Sequence, residues 1–87
     1  MAEEEKKLIG KITHYYSKIG VAVIELEDVL SVGDEISIEG AVTNVRQKVD
    51  SMQVEHENIE TAGAGDSVGM KVTDKVREND QVYKIVE

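Results

Sequence analysis

The sequence predicts a small all-β domain, a barrel of short strands joined by tight turns, on three observations. β-Branched residues dominate the chain. Apolar positions recur at spacing two more often than at three or four. Three strand starts are built alike: "VGDEISI", "AGDSVGMKV" and "ENDQVYKIV" each set Gly-Asp or Asn-Asp before an alternating run. Gly33, Gly65 and Asn79 tolerate left-handed backbone, while Asp34, Asp66 and Asp80 can bond their own backbone two residues on, closing Asx-type turns. The intervals between these devices differ, so they are not a sequence repeat.

Each element follows from the same logic. A first strand is expected from about Leu8 to Tyr16, then a turn at "SKIG", where Gly20 takes a positive φ. "VAVIELED" puts Ala22, Ile24 and Leu26 on one face and Val21 and Val23 on the other, which suits a strand covered on both sides. From Val42 to Ile59 a long polar strand is expected, with Val45, Gln47 and Val49 on one face and Met52, Val54 and His56 on the other. The switch of apolar face between Val49 and Met52 fits a β-bulge. A helix competes there, because Val45, Val49 and Met52 also match helical spacing; the excess of Val, Thr and Ile over Ala and Leu favours strand. Gly63, Gly65 and Gly69 match neither a P-loop nor a dinucleotide-binding spacing, and the loop reads as a turn launching a strand.

Eighty-seven residues make one domain, expected at 8–87 behind a flexible charged tail at 1–7. With no Cys, Pro, Phe or Trp, the chain can form neither a disulfide nor a thiolate metal site, and its core must rest on aliphatic residues. No apolar run approaches the ~20 residues of a membrane helix. The acidic-then-basic start "MAEEEKKLIG" lacks a signal peptide's order, so a cytoplasmic, soluble protein is expected, and a closed barrel without free edges is expected to be monomeric. The net charge of −8 opposes non-specific nucleic-acid binding. Lys6, Lys7 and Lys11, and Arg46 with Lys48 along one strand, are its local basic groups.

Chemistry is harder to find. His14 and His56 are too isolated in sequence for a metal motif, although "HYY" could set His14 beside Tyr15 or Tyr16. Strand alternation sends Glu55 and Glu57 away from His56, which spoils a cation cluster. No serine sits in a nucleophile-elbow pattern. No enzyme, cofactor or metal is expected. Three tyrosines are also too few for a stacking platform that binds single-stranded nucleic acid.

"VDSMQVEHENIETAGAGDSVGMKV", with "VGDEISIEG" and "VTDKVRENDQVYKI", resembles the second domain of the elongation factor Tu / elongation factor 1-alpha family over roughly Ile9 to Ile85. The resemblance implies a closed β-barrel of six or seven strands. It also implies contact with the ribosome, tRNA or a translation factor, through a pocket near Gln53, His56 and Asp66. Gln53 replaces the family's pocket carboxylate. Arg46 and Lys48 are the phosphate contacts available, and no P-loop carries GTP hydrolysis over. The expectation is therefore a stand-alone translation-factor-like binding module. Its rival is a protein–protein adaptor that supplies an accessory barrel to a larger enzyme, and the acidic charge favours that rival.

Overall fold

A computed structural model describes residues 5–55 and 57–86. Among them are ten strands and no helix: β1 Glu5–Tyr16, β2 Val21–Leu26, β3 Leu30–Ser31, β4 Glu35–Glu39, β5 Asn44–Lys48, β6 Met52–Val54, β7 Glu57–Ile59, β8 Thr61–Ala62, β9 Ser67–Lys71 and β10 Gln81–Val86. Eight form one antiparallel sheet in the order β5-β4-β10-β1-β2-β9-β6-β7, and β3 pairs with β8 as a separate ribbon. β1 starts at Glu5, inside the stretch expected to be a tail, and holds the centre of the sheet between β10 and β2. It carries two register shifts, at Leu8/Gly10 against β10 and at Ile12/His14 against β2. Bulges of this kind increase local twist and let a long strand curl.

Alternation fixes the core. Ile9, Ile12, Ile24, Ile36, Ile38 and Val82 are wholly buried, and Leu30 and Ala62 of the small ribbon join the same cluster. Filling it with aliphatic side chains compensates for the lack of large aromatics. Burying one such side chain contributes roughly 1.5–3 kcal/mol.

The three Gly-Asp and Asn-Asp turns share one geometry. Gly33, Gly65 and Asn79 have φ of 96°, 89° and 73°. In each turn the aspartate amide donates to the carbonyl three residues back, Ser31, Gly63 or Arg77. The carboxylate of Asp34, Asp66 or Asp80 accepts from the amide of that same residue, at 2.9, 3.0 and 2.7 Å. The expected bond two residues on gives way to one reaching three residues back, which fastens the turn from its outside. Its outward backbone groups then grip one core residue. Val49, Leu26 and Ile12 each donate to the aspartate carbonyl and accept from the amide of the residue before it. Three clamps of one design thus hold three buried side chains in register.

Two further sequence expectations need correction. The stretch from Val42 to Ile59 is not one bulged strand but β5, β6 and β7. Val49 has both backbone groups taken by the clamp at Gly33 and Asp34, and β6 next appears beside β9. β6 then turns through Glu55, at φ 51°, into β7. Val49 and Met52 are both buried because the chain changes neighbours between them, not because a bulge rotates it.

Nor does the ladder close into a barrel, since β5 and β7 remain its ends. A side chain does part of that work. The Gln47 amide on β5 donates to the Lys71 carbonyl at 3.0 Å and accepts from the Thr73 amide at 2.9 Å. The Thr73 hydroxyl adds a third bond at 3.2 Å. One glutamine therefore imitates a rung of backbone pairing between β5 and the chain leaving β9.

Candidate functional site

The outer face of β1, β2, β9 and β6 carries a broad, mainly apolar groove. Pairing sets Tyr16, Val21 and Lys71 in one row and His14, Val23, Gly69 and Gln53 in the next. The β1–β2 turn adds Ile19, which is 63% exposed beside Tyr16 at 48%. Gly20 takes φ 66° in that turn, as expected, and its amide donates to the Tyr16 carbonyl. Between these elements lies a shallow groove of about 480 Å³, whose rim includes Glu55 and Ser67. Val21 and Val23, expected to be covered, line it half-buried. His14 leans on Tyr16 with ring centroids 4.3 Å apart.

Of the residues singled out in the sequence, Gln53 and Gly69 line this groove, with Tyr16 and Glu55 beside them, and the Gln53 amide donates to Asn58 Oδ1 at 3.0 Å. His56 lies outside the described residues. Asp66 is exposed and its carboxylate serves the turn at Gly63. Gly69 lies inside β9, beyond that turn. Arg46 borders a separate polar concavity with Lys6, Ser37, Glu39 and Asn44. The expected pocket of Gln53, Asp66, Arg46 and Lys48 is therefore not assembled as one cavity among the described residues. Tyr16 was noticed only as a neighbour of His14, and the face of Ile19, Val21 and Val23 was missed because a run of β-branched residues reads equally as doubly buried or as one open face. The isolated Ile19 in a polar turn was the signal available.

Several of the cations face carboxylates. Arg46 bonds Glu35 at 2.6 Å, Lys6 bonds Glu39 at 2.5 Å, and Lys7 bonds Asp28 at 2.5 Å. The Arg46 hydrogen bond holds Glu35 below the usual carboxylate range. Lys6, then Ser37, does the same for Glu39, and Lys7 followed by the Val29 amide for Asp28. Ser37 donates to Glu39 at 2.8 Å, but a carboxylate with lowered basicity is a poor general base for that hydroxyl. Ser31 meets the Thr61 hydroxyl instead. Among the described residues no three His, Asp or Glu side chains gather as a metal site. No helix of the described residues is long and apolar enough to cross a membrane.

Comparison with known proteins redirects the reading. The chain is 44% identical over 80 residues to an uncharacterized protease of Methanocaldococcus jannaschii, covering 91% of this chain but 20% of that protein. It is 39% identical over 85 residues to a collagenase of Porphyromonas gingivalis, covering 95% of this chain and 20% of the collagenase. The chain thus spans about a fifth of the length of the curated relatives it matches. Its fold is that of the C-terminal domain of a U32 peptidase from Geobacillus thermoleovorans, with a TM-score of 0.84 at 20% identity over 90% of this chain and 91% of that one. No protein-family model matches the chain.

These findings overturn the resemblance to the elongation factors and the translation-apparatus function drawn from it. Gly-Asp turns launching alternating strands belong to the physics of short-stranded β domains, so they did not discriminate between the two families. The rival reading, an accessory domain of a larger enzyme, fits the relatives better.

Proposed function

We propose that this chain is the accessory, non-catalytic β domain of a U32-peptidase-type enzyme and works by binding protein. One observation carries the reading: the similarity fills more than nine tenths of this chain and only a fifth of the relatives named protease and collagenase. A peptidase must position a nucleophile or activated water against a base, and the remaining four fifths of such a chain have room for that machinery. Here the groove offers shape and apolar surface instead of chemistry. The acidic charge, and the pairing of Lys6 and Arg46 with carboxylates, disfavour a nucleic-acid partner and suit a protein one.

The test is direct. Incubated alone with gelatin and with casein, the purified chain leaves both intact. Release of peptides by the chain alone, tracking with it through purification, would overturn the proposal.

A further inference from the structure

Gly69 has no internal reason to be glycine. A glycine inside a strand weakens it, since it loses more entropy on folding and packs no side chain. Two other glycines are fixed by crowding. A Cβ on Gly10 would stand 2.4 Å from the Glu25 carbonyl oxygen, and one on Gly40 would stand 2.0 Å from Asp80 Oδ1. At Gly69 the backbone has no positive φ, and a Cβ would meet Val21 Cγ1 at 3.5 Å and the Gln53 oxygen at 3.9 Å, ordinary contacts. The bare spot lies in the groove, between Val23 of β2 and Gln53 of β6, with Tyr16, Ile19 and Val21 beside it. A strand glycine accompanies a bulge, a tight bend or the close approach of a ligand or another backbone, and the pairing of β9 shows no register shift at Gly69.

We infer that the groove over Gly69 is the seat of an apolar side chain presented by the larger peptidase-type chain, with a Lys or Arg next to that anchor. This deepens the accessory-domain reading and rests on it. Tyr16, Ile19, Val21 and Val23 supply the walls, and half-buried β-branched residues on an outer sheet face are what a partner would finish covering. Charge chooses among occupants. A second copy would set a net −8 against a net −8 across a groove that already carries Glu55, whereas a basic residue beside the anchor turns the same field into attraction. The relatives supply the source, because four fifths of each lies beyond the region this chain matches.

The experiment uses the intact Methanocaldococcus jannaschii relative, with a photo-reactive phenylalanine placed either at the position matching Val21 or at that matching Val42. Val42 is 71% exposed in the turn between β4 and β5, away from the groove. Cross-links from the Val21 position into the other four fifths of the same chain, at least five-fold above those from the Val42 position, are expected. Links from the Val42 position alone would overturn the docking face and leave the accessory reading standing. Links from neither would overturn the docking face, the accessory reading being decided by the peptide-release assay, and links between copies from the Val21 position would replace the proposed occupant with a second copy. In the 87-residue chain, Gly69→Thr should hold or raise the urea midpoint; a clear fall would show that the fold needs the glycine and would end the inference.

Discussion

The Asp80 clamp and the Gly69 groove are both built around glycine or its conformational equivalent, yet they differ in what surrounds them. At the clamp every unusual feature has a partner inside the molecule. Asn79 adopts φ 73°, Asp80 is 6% exposed and accepts from the Arg77 amide, and Gly40 is bare because Asp80 Oδ1 occupies the place of its Cβ. In the groove a glycine, an exposed isoleucine and two half-buried valines have no such internal explanation. The contrast separates residues selected by folding from residues open to selection by binding.

Four substitutions and a titration can break that contrast or sharpen it. The largest effect is expected at Gly10→Ala, whose Cβ would meet a backbone oxygen that cannot swing aside; a loss of about 3 kcal/mol or outright misfolding should appear in urea denaturation. Asp80→Ala removes the buried acceptor of the Arg77 amide and should cost about 2 kcal/mol by the same assay. Asp66→Ala breaks the corresponding bond at an exposed turn, so about 1 kcal/mol is expected, and a loss equal to that at Asp80 would deny burial its role. Gly69→Thr should go the other way, by about 0.5 kcal/mol of added stability, since β-branched residues suit strands.

The smallest effect is the response to pH. Asp28, Glu35 and Glu39 are held below their usual values of 3.8, 4.5 and 4.5 by Lys7, Arg46 and Lys6 respectively. With folded values depressed, the unfolded chain binds more protons in acid. The contribution is therefore full above the ordinary carboxylate range and is lost as pH falls through and below it. These pairs are exposed, so the decline should be shallow and flatten further in salt, as thermal melts at two ionic strengths would show. Relief of the net −8 by the same protonation works against it.

Much of the fold was legible because it is local. Gly20 takes its positive φ, Ala22, Ile24 and Leu26 face inward, and Gly33, Gly65 and Asn79 carry the left-handed turns. Each of these depends on a residue's own backbone or on period-two alternation. The stretch after Val42 was not legible in the same way. Three short strands in different neighbourhoods look like one long strand when only their composition is visible, and the Gln47 clasp needs a partner 24 residues away. The candidate site was hidden for a related reason. Val21 and Val23 announce a strand, but whether a second layer covers them depends on everything else in the chain.

The sequence by itself determined an all-β chain, its turn positions and its inward faces, since φ preferences and side-chain alternation act within a few residues. Tertiary structure decided that the sheet stays open between β5 and β7, that Arg46 and Lys6 spend their charge on Glu35 and Glu39, and that Gly69 lies bare beside Val21. Those outcomes depend on which distant strands become neighbours, and that choice is made by the packing of the core as a whole.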